Sequence, residues 1–545
     1  MNKNDRITIT ISSMSSQGLG IGRAADNTAV FVAGAAIGDK VEVIIVKVLK
    51  NYCFGKIVDY IEQSPDRIEP NCDAFSRCGG CCYRHISYEA ELNIKQKRVS
   101  DAVCRIGKIA VPINPIIGAD KRDRYRNKAQ FPVGVDKNGK SVCGFYAQHS
   151  HRIVPCTDCM LQPPEFDGIL RFLLRFTDDN RIPVYDETAD KGILRHIYLR
   201  RTADEDIMVC LVINADRLPK EIEKSLVNGL CDGFPEVKTV VLNINKRKTG
   251  VILGDKNRVL FGDGYLTDTL CGIKIKLSPL SFYQVNRDMA ERLYTVAAEY
   301  AEVYGKTVLD LYCGAGAIGL SMAKTAREII GVEIVPSAVK DARHNAEING
   351  IENARFICAD AAAAAKQLAD EGIRPDVIIL DPPRKGAESS LIHTIAEDFA
   401  PKRVVYVSCD PATLARDLAV FEDLGYKTEK VQPVDMFPST AHVETVVQLV
   451  RKKPDTYIDI TVDMDELDLT SSEAKATYDE IKDYIFDKYR VKVSSLYIAQ
   501  VKQKHGIIER DCYNNSKKDN QKQPQCPPEK VKLIEEALRH FKMIS

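Results

Sequence analysis

A cysteine and a carboxylate in the last third of the chain have the surroundings that covalent chemistry needs. The run VVYVSCDP, residues 404 to 411, reads as an apolar strand that ends by presenting Cys409 where a sheet would open to its ligand. Further on, DMFPSTAHVETVVQL puts Glu444 at the head of another apolar run, from which a carboxylate could reach the same rim, with His442 as a rival base. A thiolate can add to an electron-poor ring carbon, and a base can then remove a proton so that the sulfur leaves. The plainer alternative is that Cys409 is a small buried apolar residue and Glu444 an ordinary strand residue.

A second group of thiols lies early. CDAFSRCGGCCYRH carries Cys72, Cys78 and Cys81 at C-x5-C-x2-C, and HRIVPCTDCMLQ later supplies Cys156 and Cys159. Three clustered thiolates with a distant fourth can complete a four-sulfur site, and their softness restricts the metal to zinc or an iron–sulfur cluster, between which spacing does not choose. Cys82 beside Cys81, and Cys156 beside Cys159, leave the ligand set open at two places, and free cysteines in a Gly-rich loop are the alternative. KRDRYRNKAQF then interleaves Lys121, Arg122, Arg124, Arg126 and Lys128 with Tyr125. Such a segment can grip phosphates and stack a base, or be a solvated loop.

The elements that must position Cys409 and Glu444 are legible as strands. TVLDLYCGAGAIGLSMA is a buried strand, a glycine turn and a helix start; Gly314, Gly316 and Gly319 satisfy G-x-G-x-x-G, and Glu333 ends the next strand where a ribose-binding carboxylate is expected. This alone fits a dinucleotide or an adenosyl cofactor equally. The following runs decide: ARFICAD stops at Asp360, DVIILDPPRKG at Asp381, VVYVSC at Cys409, each apolar and then polar on one rim, as a doubly wound parallel sheet requires. Hydride transfer has no use for a rim thiol and Asp-Pro-Pro. Methyl transfer has, and Arg384, where adenine amine methylases carry an aromatic, turns the reading from adenine to a pyrimidine. Carbon 5 of uracil is a poor nucleophile until something adds at carbon 6.

With 545 residues the chain should hold three or four domains, and 76 basic against 76 acidic side chains leave no global electrostatic argument for nucleic acid. MNKNDRITIT has no apolar core of signal-peptide length and no run approaches a membrane span, so a soluble protein is expected. Seventeen scattered cysteines suit a reducing cytoplasm. Residues 7 to about 62 alternate like a small barrel with turns at Gly18, Gly20, Gly22, Gly34 and Gly38, and GLGIGRA with VFVAGAAIGDKVEV resembles a TRAM domain, an OB-like barrel that implies RNA binding. Ser87 can cap a helix with Glu89 and Glu91 in its first turn and Val99, Val103 and Ile106 on one face. Residues 130 to 260 read as an α+β scaffold. Beyond residue 454, a helix with a capping box from Thr470 to Glu473 and a face of Ala474, Tyr478, Ile481 and Ile485 is expected. A second should be capped by Ser494 or Ser495 and stopped by Gly506, and a third should run through EKVKLIEEALRHF. These form an interaction appendage or a helix-turn-helix-like unit.

Taken together, SPLSFYQVN, DLYCGAG, GVE, LDPPRKG, SCDPATLARD and DMFPSTAHVETV resemble the RumA/TrmA family of RNA uracil-5 methyltransferases, over residues 1 to about 452, and the TRAM-like segment with the cysteine cluster resembles its ribosomal-RNA branch. The resemblance implies a class I, Rossmann-like methyltransferase domain at 263–453, a TRAM barrel at 1–62, a central α+β iron–sulfur domain at 63–262 whose residues 88–110 cross to the catalytic domain, and a helical extension at 454–545. It implies S-adenosylmethionine bound by Gln284, Tyr312, Gly314, Gly316, Glu333, Asp360 and Asp381, with Cys409 as nucleophile and Glu444 as base. It also implies a [4Fe-4S] cluster on Cys72, Cys78, Cys81 and Cys159. The expected product is 5-methyluridine in 23S ribosomal RNA, made by a monomer with no membrane partner. Transfer RNA as substrate, and a catalytically idle RNA-binding protein, are the alternatives.

Overall fold

The computed structural model describes residues 1–452, 476–505, 507 and 526–544. The chain divides into two compact units, Met1–Asp455 and Thr456–Ser545. No helix among the described residues is long and apolar enough to cross a membrane.

The first unit begins with a closed five-stranded barrel whose strands are Arg6–Met14, Gly20–Arg23, Ala29–Val32, Lys40–Val48 and Tyr52–Glu62. Alternation decides its inside: Ile9, Ile11, Val30, Val32, Val41, Val43, Ile45 and Cys53 fill the interior. Gly22 is required there, since a Cβ would stand 2.9 Å from both the Ile9 side chain and the Thr10 carbonyl.

A seven-stranded mixed sheet follows, from Lys128–Val135 through Lys256–Phe261, backed by the helices Glu165–Asp179 and Lys220–Gly233. A second seven-stranded sheet has the order Ala354–Cys358, Glu328–Glu333, Thr307–Leu311, Val377–Leu380, Arg403–Ser408, Glu444–Arg451, Tyr426–Val434. The first five run parallel; the last two are antiparallel to their neighbours. Strands such as VIIL and VVYVS are apolar throughout because helices cover both faces, which gives two separate apolar cores.

The early segment is threaded through this later sheet. Ser87 caps the helix Tyr88–Asp101 by accepting from Ala90 N at 3.2 Å. Val99, Val103 and Ile109 enter the core of this sheet. Ile106, expected on the same face, is 53% exposed: the helix loosens into a π turn at Ala102–Ile106, which advances the face by one residue per turn. Residues 113–117 then pair with the edge strand at Ile113↔Val431 and Ile117↔Val434.

The helix also buries charge. Lys95 Nζ donates to Glu91 Oε1 at 2.7 Å and to Asp435 Oδ1 at 2.6 Å, with all three side chains at most 1% exposed. Glu91, which from sequence looked like a first-turn surface carboxylate, accepts further from Ser439 N at 2.6 Å and pairs with Arg122 at 3.1 Å. Asp435 also accepts from Tyr88 Oη at 2.8 Å. Buried charges persist only when so completely partnered.

The second unit contains the helices Tyr478–Tyr489, Ser495–Lys504 and Pro528–His540, packed through Ile481, Ile485, Ile498, Val501, Ile534 and Leu538. Its capping box is Thr477 with Glu480, and Ser494 caps the second helix. The expected box from Thr470 to Glu473, Ala474 and the Gly506 stop lie outside the described residues.

Replacing Lys95 by Met should cost about 3–5 kcal/mol, because Asp435 is left buried without a cation and Glu91 with Arg122 alone. Urea unfolding of the variant beside the wild type measures this; a loss below about 1 kcal/mol would mean that the cluster is not the clamp described.

Candidate active site

The sequence S-C-D-P dictates how Cys409 is presented. Asp410 is the cap of the helix Pro411–Asp423, accepting from Ala412 N at 2.9 Å and Thr413 N at 3.1 Å, and Pro411 opens the first turn. The chain must therefore turn from strand to helix at Cys409, which is left half-buried at the carboxyl rim of the sheet. The strand Glu444–Arg451 runs the opposite way, with Ser408 registered against Thr445 and Arg403 against Val450. Continuing that register by one residue sets Glu444 opposite Cys409, so an antiparallel strand begins where its parallel neighbours end.

The loop Asp381–Gly386 is buckled to the same helix. Asp417 Oδ2 accepts from Ala387 N at 2.9 Å and from Tyr406 Oη at 2.6 Å, and Arg416 donates to Lys385 O at 2.9 Å. At Gly386, with φ +81, a Cβ would sit 2.5 Å from Arg416 and Asp417. These contacts give ARD and KG a structural role that spacing does not reveal. Thr413 Oγ1 donates to Arg384 O at 3.2 Å, and the Arg384 guanidinium reaches the His442 ring at 3.4 Å.

Burial sets the electrostatics of this rim. Glu444 is raised to about 8, first by desolvation and then by Asp381; Asp381 and Asp310 are each raised by burial to about 7. The Cys409 thiol is pushed up to about 11 by burial and by the Glu444 and Asp381 carboxyls, with Arg384 opposing. His442 is pushed down to about 4 by burial and then by Arg384, so its ring stays neutral.

Next to this pair lies the glycine turn. Tyr312, Gly314 and Gly316 have φ of 65°, 54° and 80°. Gly314 faces open space, its N–H donating to Glu333 Oε2 at 3.1 Å, while Glu333 Oε1 accepts from Val335 N at 2.8 Å. Gly319 N donates to Asp310 Oδ2 at 3.0 Å, and Asp310 Oδ1 is buried without a partner among the described residues. Gln284 is held by its backbone, whose carbonyl accepts from Asn127 Nδ2 at 2.9 Å; Arg200 grips the same loop at Ser278 O and Ser281 O. Asp360 stands apart: it is exposed, two residues beyond its strand, and one oxygen caps the helix Ala361–Asp370.

Five thiols, Cys72, Cys78, Cys81, Cys156 and Cys159, line one cavity of about 110 Å³ with Arg84 and Arg126 in its wall. Cys82 does not line that cavity; its sulfur lies against the barrel, where a Cβ on Gly18 would meet it at 2.5 Å. No three Cys, His, Asp or Glu side chains among the described residues are close enough to hold one metal ion. Arg84 Nε and Nη2 and Arg126 Nε are buried donors without hydrogen-bond partners among the described residues. The loop is tied to the catalytic rim: Cys82 N and Tyr83 N both donate to Ser439 O, at 3.0 and 3.1 Å, with Ser439 at φ +68.

The basic segment mostly holds protein rather than facing solvent. Arg122 donates to Tyr83 O at 2.6 Å and Ile86 O at 2.9 Å, Arg124 binds Asp158 and the carbonyls of Cys159 and Gln162, and Tyr125 Oη donates to Pro438 O at 3.0 Å. Buried carbonyls between elements consumed cations that the sequence offered as phosphate ligands. A cleft of about 1080 Å³ runs instead from barrel residues Lys56 and Tyr60 and from Arg67 just after the barrel, past Cys78–Cys82, to Arg384, Cys409 and His442.

A family model described as tRNA (Uracil-5-)-methyltransferase matches residues 251–452, and the TRAM domain model matches residues 2–58. An RNA methyltransferase of Halalkalibacterium halodurans is 45% identical over 455 residues, covering 83% of this chain and 98% of its own length. One from Clostridium tetani is 44% identical over 449 residues, covering 82% and 96%. The solved Pyrococcus abyssi tRNA (uracil-54, C5)-methyltransferase, in complex with S-adenosyl-L-homocysteine, superposes with a TM-score of 0.66 at 26% identity, covering 82% of this chain and all of that one. A rim thiol and carboxyl set opposite one another beside a glycine turn, in a chain so similar to these proteins, identify it: it belongs to the RumA/TrmA family of RNA (uracil-5-)-methyltransferases.

Proposed function

We propose that the protein makes 5-methyluridine in 23S ribosomal RNA, with Cys409 as nucleophile and Glu444 as base. The observation that carries the chemistry is the register placing Glu444 opposite Cys409 at the rim. The target uridine must leave its stack to expose carbon 6. Cys409 Sγ gives up its proton to solvent and bonds to carbon 6, and the ring electrons pass to carbon 5 as an enolate. S-Adenosylmethionine, when bound, supplies an electrophilic methyl group to that carbon. Glu444 then takes the proton from carbon 5, and the electrons left behind expel the Cys409 thiolate. Arg384 faces both groups and lowers the cost of the thiolate. The turn at Tyr312, Gly314 and Gly316, with Glu333, Gln284 and Asp381, fits the cofactor: Gly314 opens to space and Asp310 keeps an unpartnered oxygen for a donor. Asp360 keeps Oδ2 without a hydrogen bond to any described residue.

For the early thiols the reading is a [4Fe-4S] cluster on Cys72, Cys78, Cys81 and Cys159. Thiols spread around a cavity, rather than converging on a point, fit a multi-atom cluster, and the unpartnered guanidinium donors of Arg84 and Arg126 fit its negative charge. Uracil methylation transfers no electrons, so the cluster would brace the loop that contacts Ser439. Ribosomal RNA is supported by the combination of barrel and cysteine loop; the likeness to an enzyme acting on transfer RNA favours the second reading. Mapping 5-methyluridine by mass in both RNAs from cells with and without the protein separates them: loss from 23S RNA supports the first, loss from transfer RNA the second.

Cys409→Ala should lower methyl transfer by about a thousand-fold or more while cofactor binding is retained. RNA carrying 5-fluorouridine should become trapped on the wild type through Cys409, because the fluorine cannot leave as a proton; activity in the alanine variant, or failure to trap, would refute covalent catalysis.

Glu444 works as a carboxylate and Cys409 as a thiolate, so single-turnover methylation should rise with pH through about 8 and go on rising as Cys409 ionises toward about 11. Because burial raises its value above the unfolded one, its contribution to stability is full below about 4.5 and is lost as pH rises through about 8. Glu444→Gln should therefore lack that alkaline fall in melting temperature and accumulate the covalent adduct.

Anaerobically purified protein should contain iron and acid-labile sulfide and be brown. Colourless protein with stoichiometric zinc would overturn the cluster.

A further inference from the structure

Glu91, Lys95 and Arg98 fall at i, i+4 and i+7 on the helix Tyr88–Asp101, so they share one face. That face runs along a single loop. Residues 435 to 443 join the strand Tyr426–Val434 to the strand Glu444–Arg451, and because Val434 is registered against Glu444 the loop begins and ends at the rim. Lys95 donates to Asp435 at 2.6 Å and to the Phe437 carbonyl at 3.1 Å, and Ser439 N donates to Glu91 at 2.6 Å. Arg98 Nη1 completes the row by donating to the Ala441 carbonyl at 2.7 Å.

Glu91 and Lys95 are sealed in, but Arg98 is not. Its side chain is 22% exposed and lines the cleft together with Cys409, Asp410, Ala441 and His442. Its other terminal nitrogen, Nη2, stands 3.9 Å from Asp410 Oδ2. The helix cap uses Oδ1 of that carboxylate, and no other cation among the described residues comes within ion-pair reach of it. One guanidinium therefore spans the residue after Cys409 and a carbonyl three residues before Glu444.

We infer that Arg98 is a positioning residue for methyl transfer, a clamp that fixes the loop leading to Glu444 against the turn that carries Cys409. The inference rests on the roles proposed above for those two residues. The paired register between their strands ends at Ser408 and Thr445, one residue short of both groups. A fork that grips the chain beyond the last pair on each side closes that gap. Arginine suits the task, because a planar guanidinium donates from two nitrogens in fixed directions and an ammonium is a point charge. Stability explains the contact poorly: Asp410 is already engaged as a cap, its side chain is 32% exposed, and ion pairs that reach water contribute little. Geometry explains it better, since displacing reacting atoms by about 1 Å can cost about a hundred-fold in rate.

The test uses the full-length protein carrying Arg98→Met, Arg98→Lys, Asp410→Asn, or Arg98→Met and Asp410→Asn together. Asparagine keeps the helix cap and removes the charge that faces Arg98. The probes are unmodified 23S ribosomal RNA and transfer RNA transcribed in vitro, and the same RNAs carrying 5-fluorouridine. On the RNA that the wild type methylates, Arg98→Met should lower the single-turnover rate at saturating RNA by about tenfold or more and slow trapping of the fluorinated RNA by the same factor. RNA affinity, S-adenosylmethionine affinity and melting temperature should stay at wild-type values. Arg98→Lys should recover only part of the rate, since an ammonium holds one partner at a time, and the double variant should be no slower than Arg98→Met. An unchanged rate, full recovery in Arg98→Lys, or losses that multiply in the double variant would overturn the clamp. So would a matching loss of RNA affinity, which would make the guanidinium a phosphate ligand, or a melting temperature that falls in step with the rate. Should Arg98→Met fail to fold, wild-type rates in both Arg98→Lys and Asp410→Asn overturn it equally. Wild-type protein that methylates neither RNA indicts the proposed function instead.

Discussion

The rim that carries Cys409 and Glu444 depends on one reversal of strand direction. Five parallel strands deliver their carboxyl ends to a common edge, and any residue further along the chain would ordinarily arrive there from a loop. Because Glu444–Arg451 is antiparallel to Arg403–Ser408, its first residue starts at that edge and is held by a hydrogen-bonded ladder on both sides. Glu444 is thus positioned by backbone pairing with Val434 on one flank and by continued register with Cys409 on the other. A carboxyl at 6% exposure placed in this way has little freedom to turn away.

The same enclosure explains why the rim holds protons. Asp310, Asp381, Glu444 and Cys409 all titrate above their ordinary values, and each owes this first to desolvation. Three carboxyls and a thiol so close together would repel strongly if all were ionised, and low dielectric would magnify that repulsion. Near neutral pH the pocket therefore holds protons that ordinary carboxyls would have lost, and entry of cationic or hydrogen-bonding groups favours their release. Arg384 is the permanent cation facing it, which accounts for a guanidinium in the place where an adenine-binding site would carry a ring.

Much of this was legible in the sequence because it rests on local rules. Asp410 before Pro411 announces a cap and a helix start, Gly314 and Gly316 announce left-handed turns, and runs such as VVYVS announce strands covered on both faces. What was not legible rests on contacts between distant residues. Glu91 and Lys95 look like an ordinary surface pair at helical spacing until Asp435 arrives to bury them. Arg122 and Arg124 look available to phosphate until the carbonyls they hold are known. The π turn that exposes Ile106 leaves no mark on the hydrophobic period, and Asp360 seems part of a strand although the strand stops at Cys358.

Lys95 reaches Asp435 across 340 positions, and Glu91 reaches Ser439 across 348. During synthesis the ribosome releases the helix that carries Lys95 long before the segment that neutralises it exists. Until then an amphipathic stretch with Val99 and Val103 uncovered must wait, so completion of this unit is slow and non-local, with loop closure over most of the chain preceding any reward. A nascent chain with that schedule is a natural client for chaperones that shield apolar surface, and truncation anywhere before residue 435 leaves the early helix without its site.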